Sequence, residues 1–222
     1  MTNLFDIGFN KGQQYETIIT TKNKDNTSNA APIGVICRGK NNIMCRIFKG
    51  SKTLENILET KEFTVNILQN PLMFTQATLF TIDNKHLEDD NSIKYCDSYF
   101  KCNVDNLIDA VKRSDPINKS KAIVIKATVD KIIVNNPYKK PFNRSLGLLI
   151  EILDNYNHFD DNPQYYTHRL KEARRVITKV GSKEEKKAIN LIKKKLQNKG
   201  FIIWLNLKIQ IPHNQTNLYS KS

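Results

Sequence analysis

No stretch of the 222-residue sequence is apolar for long enough to cross a bilayer. The opening residues, MTNLFDIGFNKGQQ, also lack the basic, apolar and small-residue zones of a secretory signal, so a cytoplasmic protein with no membrane partner is expected. Cysteine is scarce and unpatterned: Cys37, Cys45, Cys96 and Cys102 form no C-x-x-C pair, and only four histidines accompany them. That argues against a zinc or other metal site and leaves reduced, mostly buried thiols as the expectation. A G-x-G-x-x-G turn after a strand is missing too, so a nicotinamide held in a Rossmann unit has no support.

Acidic residues are in short supply, 22 Asp and Glu against 35 Lys and Arg, for a net charge of +13. Such an excess raises the question of a polyanionic partner. Much of it sits between Arg169 and Lys199, where only Glu172, Glu184 and Glu185 oppose a dozen cations. The chain is rich in Lys, Asn and Ile together, a bias that produces positive charge without any such partner. With no aromatic stacking motif and no nucleic-acid module, a nucleic-acid or polyanion binder ranks last.

What is present is a succession of short β-patterned segments followed by helices. Gln14–Lys22 alternates and is β-branched, Ala30–Gly39 resumes after a turn over 23–29, and Ile43–Phe48 follows the turn at Gly39–Asn42. Ser51 to about Thr60 reads as a helix, Glu62–Leu68 as a strand, and Pro71 opens a helical piece through about Phe80. An acidic loop over Thr81–Ser92 precedes a strand expected at Ile93–Val104. Lys121–Val134 carries the strongest β pattern, with Ile123, Ile125, Ala127 and Val129 on one face.

Hairpin-like links argue for an antiparallel barrel. After Pro137 the pattern turns helical, over Asn143–Leu153, Gln164–Lys179 and a third helix opened by the capping box at Ser182 and stopped at Gly200. Phe201–Ile211 is a candidate return strand, with a polar, mobile tail beyond. The expected divisions are 1–136 for a barrel, 137–200 for a helical subdomain and 201–222 for the strand and tail.

One junction carries the chemistry. Cys45-Arg46-Ile47-Phe48 runs through Lys49-Gly50-Ser51 into an apolar helical pattern, and Ser51 is a good N-cap. Lys49 and Lys52 flank the helix start, where the macrodipole is already positive and cations are mildly unfavourable unless an anion joins them. First-turn N–H groups, the hydroxyls of Ser51 and Thr53 and two ammonium groups would make a phosphate site, with Gly50 allowing close backbone approach. The equal alternative is a capped surface helix with two solvated lysines. Upstream, the small residues and Pro32 in NAAPIGV suit either a flat ligand lying on the backbone or an edge strand or bulge.

The blocks YETIITT, NAAPIGV, FKGSKTLENI and FTVNI, in this order, closely resemble the archaeal-type DUF447 proteins, a family of flavin reductase-like split β-barrels associated with FMN. PFNRSLGLLIEIL and ARRVITKVGSKEEKKAINLI resemble the helical C-terminal region of the same family. The resemblance implies an α+β fold, an antiparallel Greek-key FMN-binding split β-barrel with a C-terminal helical subdomain. It also implies a homodimer with flavin near the interface. Under it, Ser51 and Thr53 correspond to phosphate-binding hydroxyls at Gly50, with Lys49 and Lys52 as charge partners. Asn29, Ala31, Pro32, Ile33 and Gly34 lie by the ring, and Asn66 and Asn56 are weaker choices. Arg144 either reaches the phosphate bidentately or pairs with Glu151 or another helix carboxylate.

The end of the first C-terminal helix, Asn155-Tyr156-Asn157-His158, departs from the family's Ala-Thr-Arg pattern, and no role is carried over to it. His158 and His168 have no chemical assignment, and no catalytic residue is identified. The function implied is a flavin-dependent oxidoreductase, served by a nicotinamide or another reduced donor docking over the ring. A missing Ser/His/Asp or Cys/His constellation is neutral for it, because the cofactor does the chemistry. The alternative is a carrier or sensor of flavin or a pterin-like ligand.

Overall fold

A computed structural model of the protein describes residues 2–111 and 121–200. The expected return strand over Phe201–Ile211 and the tail beyond it lie outside the described residues. Six strands, β1 (Gln14–Lys22), β2 (Ser28–Cys37), β3 (Asn42–Phe48), β4 (Glu62–Ile67), β5 (Ser98–Val111) and β6 (Lys121–Val134), close an antiparallel barrel in the order β1-β2-β3-β6-β5-β4. Helix α1 (Lys52–Thr60) carries the chain from β3 to β4, on the far side of β1, which makes the connection a Greek-key crossover. Helix α2 (Pro71–Leu79) follows β4, and α3 (Ser145–Asp154), α4 (Pro163–Val180) and α5 (Lys183–Asn198) follow β6. Among the described residues, no helix is long and apolar enough to cross a membrane.

Alternation in the strands builds the barrel core. Tyr15 and Ile19 of β1 point inward with Val35, Phe63, Val65 and Phe100, and Phe9 packs 4.6 Å from the Tyr15 ring and 5.8 Å from Phe100. In β6, Ile125, Ala127 and Val129 are buried in this core and Ile123 packs against it, the face expected from the sequence. The strand expected over Ile93–Val104 instead runs over Ser98–Val111. Residues 93–97 form a turn, with Tyr95 at φ +59°, and Ile93 and Cys96 fill a separate apolar cluster with Ile18, Met73 and Leu87. Their hydrophobicity is satisfied there rather than in the sheet.

Gly50 adopts φ +83°, a left-handed turn that suits glycine, and Ser51 caps α1 by accepting from the Leu54 N–H at 3.3 Å. α1 closes one end of the barrel, burying Leu54 and Ile57, while the Asn56 amide donates to Thr21 Oγ1 (2.9 Å) and Asn23 Oδ1 (2.7 Å). The three C-terminal helices form their own apolar cluster around Phe159, Leu170, Ile177 and Leu196, and the Ser182–Glu185 capping box opens α5. Asn143 ties them to the barrel: its amide donates to the carbonyls of Gln14 (2.7 Å) and Val180 (2.8 Å). Beside it, the Glu16 N–H donates to the Phe142 carbonyl at 2.9 Å, so residues 142–144 run along the outer edge of β1.

Asn66 is fully buried and hydrogen-bonded on both sides. Its amide donates to Ile18 O and Thr20 Oγ1, each at 3.0 Å, and its Oδ1 accepts from the Ile93 N–H at 2.8 Å. It clamps the seam where β4 meets β1 over only Ile18–Thr20. Asn66→Ala should therefore lower the unfolding free energy by about 2–4 kcal/mol, the sum of orphaned partners and a small cavity. Urea unfolding checks this, and a loss below about 1 kcal/mol would count against the clamp.

A cleft between two diverging strands

β2 and β3 pair only at Val35↔Cys45, Ile36↔Met44 and Cys37↔Ile43, although each continues well past these residues. Beyond them the strands diverge, β2 remaining on β1 as far as Ser28 and β3 remaining on β6 as far as Phe48. The hydrogen-bond phase identifies which groups face the gap. Cys37 N–H donates to Gln13 O on the β1 side, and Arg38 N–H donates to Asn42 O on the β3 side. In an antiparallel ladder the direction alternates residue by residue, so the backbones of Gly34 and Pro32 face the split on one bank and that of Arg46 on the other. Pro32 stands where its missing N–H costs the sheet nothing, the position that tolerates proline. A Cβ on Gly34 would collide with the Gln14 amide, so the glycine lets that side chain lie across β2.

The split opens into a cleft of about 500 Å³ whose floor includes Ala31, Pro32, Ile33 and Gly34 and whose far end is the α1 start at Ser51 and Thr53. Met44, Arg46, Phe48 and Val124 form the opposite wall, and Arg144 and Lys179 approach from the helical side. Of the residues singled out in the sequence, the structure gathers Ala31, Pro32, Ile33, Gly34, Ser51, Thr53 and Arg144 around one cavity. Asn29 lies behind it, its amide donating to Thr53 Oγ1 at 2.9 Å. Gly50 shapes the turn rather than the wall. Asn66 and Asn56 are committed to the barrel and do not reach the cleft.

The charges are arranged differently from the sequence expectation. Lys49 pairs with Asp109 of β5, and Lys52 pairs with Glu55 at 3.6 Å, both at exposed positions. Within the cleft the cations are Arg46, Arg144 and Lys179, against a single carboxylate, Glu16, among the described lining residues. Arg144 Nε lies 3.1 Å from Glu16 Oε1, an ion pair whose angle is not that of a hydrogen bond, and Glu151 pairs instead with Arg169 at 3.5 Å. Arg46 also stacks over Phe48, 5.8 Å from its ring centre.

Gln14, Glu16, Arg46 and Lys179 also line the cleft, residues with no role expected from the sequence. Arg46 had a signal, the lone charge at an outward position of a mostly apolar strand. Lys179 was hidden in a crowd of helical lysines.

At the helix start, Ser51 Oγ donates to Phe48 O at 2.8 Å while accepting from Leu54 N, so its hydroxyl is spent on the cap. Thr53 Oγ1 accepts from Asn29, which leaves its proton to donate elsewhere. The Lys52 and Thr53 N–H groups belong to the unpaired first turn. The cleft can thus take an elongated anion with a flat apolar part. His158, 2.9 Å from Asp161, and exposed His168 lie on the helices away from it. No cluster of three or more metal-ligating side chains occurs among the described residues.

Cys45 sits in the cleft wall, yet burial pushes its thiol up to about 12, and burial raises Cys37, Cys96 and Cys102 as well. The native protein should therefore resist Ellman's reagent at about pH 8, where the thiolate fraction of a group titrating near 12 is roughly one in ten thousand. Denaturation should release all four free thiols. Rapid modification of one thiol in the folded state would show that the wall opens.

Residues 15–136 match the family described as "Protein of unknown function (DUF447) N-terminal domain". An uncharacterized protein of Methanocaldococcus jannaschii is 31% identical over 191 residues, covering 82% of this chain and 97% of that protein. The crystal structure of an FMN-bound DUF447 protein from Methanosarcina mazei is similar with a TM-score of 0.51 at 24% identity, over 86% of this chain and 99% of that one.

Proposed function

The chain belongs to the DUF447 family, and on that premise we propose that it is an FMN-binding flavoprotein, with the flavin between β2 and β3 and its phosphate at the start of α1. The observation that carries this reading is the split itself, an open stretch of backbone donors and acceptors leading to an uncapped pair of helix N–H groups. The M. mazei relative is FMN-bound, which supports the same ligand here. The residues fit it. Gly34 N–H and C=O and Pro32 C=O match the pyrimidine edge of an isoalloxazine, and Met44 and Val124 give it apolar walls. Lys52 N–H, Thr53 N–H and the Thr53 hydroxyl converge on a phosphate position, where the helix dipole favours negative charge. Arg46, Arg144 and Lys179 make the cleft cationic, and Lys49 and Lys52 add a weaker outer field. Ser51 and Asn29 act one step back, the first by capping the turn and the second by orienting the Thr53 hydroxyl.

When bound, the flavin supplies hydride or single-electron transfer, and the protein supplies orientation, charge and exclusion of water. The proposed reaction class is that of a flavin-dependent oxidoreductase taking electrons from a reduced nicotinamide or a similar donor. A homodimer belongs to the same proposal. Phe48, 56% exposed on the cleft rim, is an apolar wall that a second subunit would cover. Four buried, unpaired thiols suit a reducing, cytoplasmic setting.

Purified protein should show oxidised-flavin absorbance, or acquire it with added FMN, and release FMN on denaturation. A colourless chain that takes up none would overturn the reading. Thr53→Val should weaken FMN about tenfold to a hundredfold, because it removes one hydrogen bond to a charged group, and should cost about 1 kcal/mol of stability by leaving the Asn29 amide without its acceptor. Ser51→Asp should keep the α1 cap yet abolish FMN binding, since it places a carboxylate beside the phosphate position. Tight FMN binding by Ser51→Asp would move the phosphate elsewhere. Steady-state oxidation of a reduced nicotinamide by the loaded protein then tests turnover, and inertness towards several donors would favour a flavin carrier.

A further inference from the structure

A second cavity, about 450 Å³, abuts the cleft and shares Glu16, Pro32 and Arg144 with it. Its other walls are apolar except at Gln69, whose amide donates to the Lys140 carbonyl at 2.9 Å. Leu68 follows β4, Pro71 opens α2, and Phe74 lies one turn on, on the same face of that helix. Phe142 closes the opposite side, fixed by the hydrogen bond between its carbonyl and the Glu16 N–H. Charge is concentrated where the two cavities meet, in the Glu16–Arg144 pair. Glu16 meets the guanidinium at Nε, and the Arg144 side chain stays 46% exposed, so its terminal nitrogens are offered to a second anion.

We propose that this chamber binds a planar, largely apolar carboxylate of one or two rings, with its rings against Phe74 and Phe142 and its carboxylate on Arg144. The chemistry selects this class. Two phenyl rings and a proline favour a flat partner, and a half-exposed guanidinium favours the bidentate geometry of a carboxylate. A chamber of this volume takes roughly a drug-sized molecule at most, so a complete dinucleotide exceeds it. Because Pro32, Glu16 and Arg144 form the partition, a ligand here lies directly beside the occupant of the cleft. The assignment of this ligand class as the substrate rests on the flavin reading above, whereas its binding does not.

The test uses 2-naphthoate as probe and the full chain, by calorimetric titration with and without FMN. Naphthoate should bind with one-to-one stoichiometry in both states, and neutral 2-naphthylmethanol should bind at least about tenfold more weakly. Phe74→Ala should weaken naphthoate about tenfold and leave FMN affinity unchanged. Phe142→Ala, at a 45% exposed position where truncation spares the fold, serves should Phe74→Ala fail to fold. No naphthoate binding, equal affinity for the neutral analogue, competition with FMN, or indifference to the aromatic truncation would each overturn the proposal. Naphthoate binding as described in a chain that takes up no FMN would overturn the flavin reading alone.

Discussion

Two adjacent strands that stop pairing create an obligation. Backbone N–H and C=O groups want partners, and a barrel satisfies nearly all of them by closing on itself. Here the barrel closes in the order β1-β2-β3-β6-β5-β4, but after Cys45 β2 and β3 separate and leave facing backbone groups without a strand between them. The exposed bank is therefore a consequence of topology, and the residues along it have been fitted to that circumstance. Pro32 gives up no ladder bond, Gly34 makes room for Gln14, and the glycine turn at Gly50 directs α1 across the barrel end, so that its first N–H groups face the cavity that the separation opened.

Electrostatics follows the same geometry. The lysines nearest the helix start in sequence turn outward to Asp109 and Glu55, as long flexible side chains at exposed positions can. Charge inside the cleft comes from arginines and a lysine whose backbones lie on three different elements: Arg46 on β3, Arg144 at the start of α3 and Lys179 in the last turn of α4. Such convergence is a tertiary property. Asn143 makes it repeatable by tying the end of α4 and the edge of β1 to one side-chain amide.

That contrast explains what could be read in advance. Local signals held: the Ser51 cap, the Ser182 capping box, proline at the first turn of α2 and the inward face of β6 all depend on residues within a few positions of one another. The small-residue strand and the helix start, each singled out by its own local signal, line one cavity because the strand pair between them parts. The packing of Ile93 and Cys96 was not legible, since a short apolar stretch reads alike in a strand and in a turn packed under α2, and the strand boundary moved accordingly. The role of Asn66 was equally hidden. A buried amide and a ligand-facing amide have the same letter, and only the positions of Ile18, Thr20 and Ile93 separate them.

Pro32 has a further consequence. An open bank of backbone groups is a template on which a strand from another molecule can grow, the usual route from an unfinished sheet to aggregation. A residue without an N–H interrupts that template in the middle of the exposed bank, and Arg46 opposite places a charge along it. The gap thus leaves a few backbone groups open while denying an extended peptide the continuous row it needs. The sheet can stay unfinished in an empty molecule without becoming adhesive.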